Sequence, residues 1–323
     1  MLVIDPAGWP ASQRREPPTG RVIAGRPSLV ADLVTLARPL HSAKTLLLVP
    51  VALLGAPRWT PAMLADMGWA AVAFILAGAC VYVGNDIADR DRDRDHPTKC
   101  RRPIAAGRVP VLAGYAYCAA LLAALAVLIG AGAGGPYWPL LAYLGLNVAY
   151  SRALKHIPLV DVGAVAVGLV LRVVQGYVAT GQRISTWLLV AVFALALVML
   201  IGKRRDELLQ AGPAHRPALR GYSLELTDQL IPLTGALAIV AGLMYLSTEA
   251  PFGAYGTAAM LLSTPFALFA LARYLQMLLV DGCGDPVRAV LGDRTMLGAA
   301  VLWVAALGAT FLLARYSAVP VLS

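Results

Sequence analysis

Five aspartates lie within a ten-residue stretch of the chain, and three of them have the spacing of one helical face. Asp86, Asp89 and Asp93 are separated by three and four residues, so on a helix their carboxylates project from the same side. Asn85 lies beside them. Three carboxylates on one face repel each other unless a cation lies between them, and ligands that are all oxygen suit Mg²⁺. The spacing therefore predicts a magnesium site formed by Asp86, Asp89, Asp93 and Asn85.

The other two aspartates of the stretch are interpreted differently. Asp91 and Asp95 fall well around the helix from that face, and arginines alternate with them. We interpret this pair as a solvated face with weak surface ion pairs. The cluster of three begins at the edge of an apolar segment, where unpaired charge is costly, and this favours a ligand-binding role.

Basic residues follow the acids within the same predicted loop. Lys99 and Arg102 come shortly after Asp93. Acids that hold a metal, next to cations that bind phosphate oxygens, are the composition of a diphosphate site. We therefore predict that Lys99 and Arg102 contact a diphosphate.

Apolar helices must position these residues. Apolar residues make up 59% of the 323 residues and charged ones 14%, against about 25% charged in soluble proteins. This composition excludes an ordinary soluble globule and predicts an all-α integral membrane protein, with spans of about 30 Å of hydrocarbon. Four scattered cysteines predict neither a disulfide framework nor a zinc site. Nine spans are predicted, with eight or ten left open, near 43–57, 63–84, 110–132, 136–150, 159–180, 185–202, 230–248, 255–279 and 295–314.

Lysine and arginine are concentrated in alternate loops. With nine spans, most of the 27 cationic residues fall on the side of the N-terminus and the acid-rich loop. The positive-inside rule places that side in the cytoplasm of a plasma-membrane protein and the C-terminus outside. The net charge of +9 is thereby explained by topology and requires no nucleic acid. We expect a disordered cytoplasmic tail over 1–30, one transmembrane catalytic domain over 31–315 and a short outer tail over 316–323.

Further cations begin or leave predicted spans. Arg38 and Lys44 begin the first span, and Lys203 and Arg204 leave the sixth. Each is a candidate for binding a substrate phosphate, and each is equally explained by cytoplasmic anchoring.

Arg172 is different because it lies inside the fifth span, 11 residues beyond Asp161. A charge there costs a few kcal/mol or more, so Arg172 must face the protein interior. A substrate phosphate, Asp161 or a purely structural partner remain open. Tyr150 and Tyr222 are candidates to hydrogen-bond a substrate, or anchors at the membrane interface.

The stretch Asn85–Arg108 resembles the first aspartate-rich motif, NDxxDxxxD, of the UbiA superfamily of intramembrane prenyltransferases. Its continuation, DxxHPTKxxRPIAAG, is most similar to the decaprenyl-phosphate phosphoribosyltransferase branch. The resemblance covers about residues 30–314 and implies nine transmembrane helices around a central cavity. Other parts that agree are Arg38-Pro39 with Lys44, Tyr150, Leu154-Lys155, Asp161, Lys203-Arg204, Glu207, Tyr222, Pro265-Phe266, Arg273-Tyr274, Asp285-Pro286 and Asp293-Arg294.

The resemblance implies a Mg²⁺-dependent transfer of 5-phosphoribose from 5-phosphoribosyl diphosphate to a polyprenyl (decaprenyl) phosphate. Pyrophosphate is released, and the product supplies cell-wall arabinan synthesis. Asp161 would bind a second metal or orient a cation such as Lys155. Many superfamily members carry a second DxxxD, whereas Val165 stands at the fourth position after Asp161 here; Ser42 and Thr45 also depart from the family's common Trp and Asn.

Two alternative functions remain open from the sequence. A prenyltransferase that moves a prenyl group from a prenyl diphosphate to an aromatic or lipid acceptor would use the same aspartates. A cation-coupled transporter is the remote alternative. Transporters commonly show internal repeats and charges near the membrane midplane. This sequence shows no clear repeat, and its acids lie at the predicted cytoplasmic edge.

Overall fold

The computed structural model describes residues 28–38, 45, 49–55, 59–95, 99–132, 135–211, 217–280 and 292–316. Lys44, His96 and most of both predicted tails lie outside these residues. All regular structure within the described ranges is helical, which confirms the all-α prediction. The α-helices with described bounds are α1 (Leu29–Ala37), α2 (Pro61–Ala88), α3 (Arg90–Arg94), α4 (Val111–Gly130), α5 (Trp138–Arg152), α6 (Val160–Thr180), α7 (Thr186–Ala211), α8 (Leu224–Thr248), α9 (Gly256–Leu279) and α10 (Arg294–Tyr316).

Short 3₁₀ segments complete the connections. They comprise Val49–Gly55, Lys99–Arg101, Leu154–His156, Pro217–Gly221 and Gly253–Tyr255. Several helix starts are fixed by local chemistry. The Ser28, Thr60 and Ser223 hydroxyls accept hydrogen bonds from the backbone N–H groups of α1, α2 and α8, respectively.

Seven helices in the described ranges are long and apolar enough to cross a membrane, so the predicted count of nine is not confirmed. The predicted span 136–150 is the 15-residue helix α5, which at 1.5 Å per residue is about 22 Å long and shorter than the hydrocarbon layer. The predicted span 43–57 is described only at residue 45 and as the 3₁₀ segment Val49–Gly55.

Helices α2 and α6 are the two most buried of the seven. Helix α2 packs against α1, α4, α5 and α6, and α6 packs in turn against α5, α7 and the segment Val49–Gly55. That last approach requires a glycine, because a Cβ at Gly176 would lie 2.0 Å from the Val49 carbonyl oxygen. Of the predicted site residues, these two central helices carry Asn85, Asp86, Asp161 and Arg172.

The remaining helices continue the bundle away from this centre. Helix α8 packs against α7 and α9, and α10 packs against α9. Up-and-down connectivity brings the C-termini of α2, α5 and α7 to the same end as the N-termini of α4, α6 and α8. The polar segments gather at this end, where Val162, Ile201 and Ile231 form an apolar cluster that joins α6, α7 and α8.

Candidate active site

The acid-rich stretch continues the line of α2 with one irregular residue. Asp89 has φ −95° and ψ 5° and separates α2 from α3. The hydrogen bonds from Asp89 N to Asn85 O (2.9 Å) and from Asp93 N to Asp89 O (2.8 Å) preserve the helical spacing across it. Asp86 and Asp93 are consequently buried on one side, whereas the Asp91 side chain is 71% exposed and contacts Arg90 and Arg94.

A single guanidinium bridges the two buried acids. Arg102 NH1 lies 3.1 Å from Asp86 Oδ1 and 2.6 Å from Asp93 Oδ2. Arg38 also donates to Asp86 Oδ1 and lies over the Tyr82 ring, with 5.1 Å between the guanidinium carbon and the ring centroid. The three buried or half-buried ion pairs form one continuous charge network at the end of α2.

The other two predicted metal ligands contact α5 and the residues after it. Lys155 Nζ lies 3.2 Å from Asp89 Oδ1, and the Ser151 hydroxyl donates to Asn85 Oδ1 at 2.7 Å. The side chains that the sequence places on one face therefore diverge toward two sets of partners. Within the described part of the chain, no group of three His, Cys, Asp or Glu side chains is close enough to hold one metal ion.

The donor chemistry of this cluster nevertheless fits a divalent cation. Asp86 and Asp93 converge on one positive group, Arg102 NH1, so their carboxylates are spaced to share a cation. Asp89 and Asn85 carry further side-chain oxygens on the same stretch, which contact Lys155 and Ser151 in the structure. An oxygen-only set with neighbouring cations is the composition that Mg²⁺ and a phosphate ligand require.

Asp161, in the first turn of α6, is fully buried, and both of its oxygens are engaged. Arg204 Nε donates to Oδ2 at 2.9 Å, and the Tyr222 hydroxyl donates to Oδ1 at 2.6 Å. Arg204 NH1 continues the network to Glu207 at 2.7 Å. Asp161 thus pairs with Arg204, whereas Lys155, the partner suggested from the sequence, pairs with Asp89.

A strained turn places Tyr222 against Asp161. Leu159 has φ +65° and ψ −40°, and Val160 N donates to Pro158 O at 2.8 Å, which is the geometry of a classic γ-turn. The Leu159 N–H donates to the Tyr222 hydroxyl oxygen at 2.9 Å. Gly221 is needed beside this turn, because a Cβ there would lie 2.3 Å from Pro158 Cγ.

The pKa of Tyr222 is raised above its usual value. Burial is the first cause, and the hydrogen bond to Asp161 and the charge of that carboxylate add to it. The phenol is consequently held in its protonated form. It acts as a fixed hydrogen-bond donor to Asp161.

Arg172 lies apart from this network. Its Nε donates to the Thr45 hydroxyl (3.2 Å), NH1 to the Gly168 carbonyl (2.6 Å) and NH2 to the Tyr143 hydroxyl (3.0 Å). The guanidinium also lies over the Tyr143 and Phe74 rings, at 4.6 and 5.8 Å from their centroids. The contact with Asp161 that the sequence left open is not made, because Arg204 and Tyr222 take up that carboxylate.

The remaining predicted residues occupy different surroundings. Lys99 is half-buried in its 3₁₀ segment, and Tyr150 is half-buried within electrostatic range of Arg204. Lys203 is exposed, on a different side of α7 from its buried neighbour Arg204. Lys44 lies outside the described residues.

Sequence reasoning missed three polar groups that contact the predicted residues. Tyr82 lies four residues before Asp86 on α2, so its helical spacing contained the signal. Ser151 and Tyr143 come from α5 and contact Asn85 and Arg172 through long-range packing. No local pattern in the sequence identifies these two.

A family model, curated relatives and solved structures all relate this chain to one family. The family model for the UbiA prenyltransferase family matches residues 45–282. The chain is 34% identical over 294 residues to a Mycobacterium tuberculosis protein named decaprenyl-phosphate phosphoribosyltransferase, covering 87% of this chain and 95% of that one. A Corynebacterium glutamicum protein of the same name is 29% identical, with 91% and 88% covered.

Solved structures agree on the fold. A UbiA homolog from Archaeoglobus fulgidus, solved bound to GPP and Mg²⁺, superposes with a TM-score of 0.61 at 20% identity over 87% of this chain and 99% of that chain. The matched family model covers well over half of the sequence. The chain therefore belongs to the UbiA prenyltransferase family and is a multi-pass membrane transferase of that kind.

Proposed function

We propose that this chain transfers 5-phosphoribose from 5-phosphoribosyl diphosphate to a polyprenyl phosphate and releases pyrophosphate. The observation that carries the proposal is the alternation of acids and cations at the end of α2, where Arg102 bridges Asp86 and Asp93 and Lys155 contacts Asp89. A diphosphate with a divalent ion presents the complementary charges. The names of the mycobacterial and corynebacterial relatives support this donor and acceptor.

The acids at the end of α2 would hold the metal. Asp86, Asp89 and Asp93, with Asn85, supply only oxygen ligands, and the archaeal UbiA homolog is solved with Mg²⁺. Bound there, Mg²⁺ would neutralise charge on the leaving pyrophosphate.

The cations around these acids are proposed to bind the diphosphate. Arg38, Arg102 and Lys155 already contact Asp86, Asp89 or Asp93. Lys99 begins the 3₁₀ segment that ends one residue before Arg102. An incoming diphosphate offers these cations anionic oxygens in place of the acids. They would then stabilise the negative charge that develops on the leaving group.

The bond changes need no strong base in the protein. An oxygen of the acceptor phosphate forms a bond to C1 of the ribose while the bond from C1 to the diphosphate oxygen breaks, and its electron pair leaves with pyrophosphate. The acceptor is already an anion, so no proton has to be removed. The protein's task is to align two anions and to stabilise charge.

We assign Asp161 a positioning role through Arg204. Both side chains are almost fully buried, at 0% and 5% exposure. Tyr222 holds the second carboxylate oxygen, so the pair joins the first turn of α6 to α7. Tyr150 and Lys203 lie near this pair and remain proposed substrate contacts.

The site is proposed to face the cytoplasm. Most of the cationic residues that the structure describes lie at the end of the bundle that carries the acids, and the positive-inside rule favours the cytoplasm for such an end. A soluble donor would then enter from the cytosol, and the lipid acceptor from the bilayer. A product of this chemistry fits the supply of cell-wall arabinan precursors.

The alternative is transfer of a prenyl group from a prenyl diphosphate, which the archaeal homolog solved with GPP illustrates. Prenyl-diphosphate users of this superfamily often carry a second pair of acids. Here Val165 takes the fourth position after Asp161, and Asp161 is itself engaged by Arg204 and Tyr222. This difference favours the phosphoribosyl donor.

Purified protein would separate the two reactions. Incubation with Mg²⁺, polyprenyl phosphate and 5-phosphoribosyl diphosphate labelled in the ribose should give a labelled lipid that partitions into organic solvent. Parallel incubations replace the donor with geranyl diphosphate and an aromatic acceptor. Turnover of geranyl diphosphate without a lipid-linked ribose phosphate would refute the proposal.

A further inference from the structure

Arg172 is a buried cation that no carboxylate in the described part of the chain contacts. The residue is 8% exposed in the middle of the central helix α6, and its three hydrogen bonds go to a carbonyl and two hydroxyls. No carboxylate of the described residues contacts it. Burial of an unpaired charge is expensive, so an anion beside this guanidinium would stabilise it, and a bound ligand is one source of such an anion.

The chain segment that packs beside it cannot supply that anion. Thr45 contacts Arg172, and the sequence holds no Asp or Glu between Asp32 and Asp66. The residues on either side of Thr45 are therefore excluded as acidic partners by sequence alone.

The guanidinium retains unused donors. A guanidinium has five N–H groups, and three of those on Arg172 are accounted for by Thr45, Gly168 and Tyr143. Two N–H groups on the terminal nitrogens are left for a ligand. The oxygens of a phosphate, like those of a carboxylate, can accept from two N–H groups of one guanidinium.

Arg172 lies deeper along α6, toward the membrane interior, than Asp161. Its NH1 reaches back one turn to Gly168, seven residues after Asp161, which places the guanidinium about 10 Å deeper than Asp161 along the axis of α6. Tyr82 connects the two levels, because it stacks with Arg38 and lies within electrostatic range of Arg172.

We propose that Arg172, with Tyr143 and Thr45, forms a second phosphate-binding subsite beneath the diphosphate site. The inference rests on the proposed function, in which two phosphates besides the leaving diphosphate must be bound: the 5-phosphate of the donor and the phosphate of the lipid acceptor. Both present the same oxyanion chemistry. In-line attack places the acceptor phosphate on the opposite side of C1 from the diphosphate.

Binding measurements without metal test the subsite independently of turnover. Farnesyl phosphate represents the lipid phosphate, and ribose 5-phosphate represents the donor's 5-phosphate. Each is titrated against wild type, Arg172→Gln and Arg172→Lys, with binding followed by the rise in melting temperature. Arg205→Gln is the matched control, since Arg205 is also buried but contacts Asp228 and the Leu278 carbonyl.

We expect one of the two monophosphates to bind wild type and to lose at least tenfold in affinity in Arg172→Gln. Arg172→Lys should retain part of that affinity, because it keeps the charge and loses the fork. Arg205→Gln should bind like wild type even where its melting temperature falls. The ligand that loses affinity identifies which phosphate the subsite takes.

Equal binding of both ligands to wild type and Arg172→Gln would overturn the subsite, as would binding of neither ligand to wild type. A lower melting temperature of Arg172→Gln with unchanged affinity would assign Arg172 a structural role. Failure of the proposed function has a different signature: no lipid-linked ribose phosphate forms in the wild type, while Arg172-dependent binding of farnesyl phosphate persists.

Discussion

Tyr222 and Asp161, 61 residues apart in sequence, are joined by a hydrogen bond of 2.6 Å from the phenol to a fully buried carboxylate oxygen. The same phenol accepts from Leu159 N–H two residues before Asp161. Tyr222 therefore ties the start of α6 to the segment before α8. A buried carboxylate depends on such donors because water does not reach it.

Replacement of Tyr222 by phenylalanine should destabilise the protein. It removes the donor to Asp161 and the acceptor of the Leu159 N–H, and a buried group left unsatisfied costs about 1–3 kcal/mol. Thermal unfolding in detergent measures the loss. Tyr115→Phe is the matched control, because Tyr115 is 59% exposed. Equal melting temperatures of the two variants would contradict the assigned role of Tyr222.

The difference in stability between wild type and Tyr222→Phe should depend on pH in one direction. Folding raises the pKa of Tyr222, so the folded state favours the protonated phenol. That contribution is complete below the unfolded pKa of about 10 and is lost as the pH rises above it. Denaturation between pH 7 and 11 should show a constant difference up to about pH 10 and a smaller one above. A difference that changes between pH 7 and 9 would be inconsistent with this cause.

The sequence predicts the acids better than their partners. Helical spacing separates Asp86 and Asp93 from Asp91, and the structure buries the first two and exposes the third. Two of the cations that meet these acids come from distant parts of the sequence: Arg38 lies 48 residues before Asp86, and Lys155 lies 66 residues after Asp89. Such pairings depend on how helices pack, which local periodicity does not contain.

The span count shows a second limit of sequence patterns. The predicted span 136–150 is already short, at 15 residues, and α5 has the same length. Hydropathy therefore finds the apolar segment, but α5, which begins at Trp138 and ends at Arg152, is too short to count among the seven spans. A charged residue within an apolar segment is a more useful signal. It predicts that Arg172 faces the protein interior, and Arg172 is buried there.

Neutral replacement of the buried acids should reduce turnover severely, whereas the same change at exposed Asp91 should be mild. Asp86→Asn and Asp93→Asn each remove charge at the point where Arg102 joins them, and loss of one such electrostatic group costs about 10²–10³ in rate. Asp91→Asn, on the exposed side, should stay within about twofold of wild type because surface pairs contribute little. Initial rates of lipid-linked product formation measure all three. Comparable losses in Asp91→Asn and Asp93→Asn would refute the assignment of the buried face.

Removal of divalent metal should stop the reaction reversibly. Chelation with EDTA is expected to reduce product formation to background, and excess Mg²⁺ to restore it, because the oxygen-only acids suit that ion. Asp89→Asn should shift the Mg²⁺ concentration for half-maximal rate upward by about tenfold, since it removes one proposed ligand. Full activity in EDTA, or an unchanged Mg²⁺ dependence in Asp89→Asn, would exclude these ligands.

Two thiols give a direct test of the packing that positions the acid edge. Cys80 in α2 and Cys118 in α4 place their sulfur atoms 2.7 Å apart, and both cysteines are free in the structure. Copper phenanthroline as oxidant should remove two electrons and two protons and join them within one chain. Mass spectrometry of the digested monomer should find the Cys80–Cys118 peptide pair in wild type and in Cys100→Ser, and should not find it in Cys118→Ser. Cys80 lies six residues before Asp86 on the same helix. Failure of this cross-link would therefore contradict the packing of α4 against α2, and with it the position of Arg102 in the segment that precedes α4.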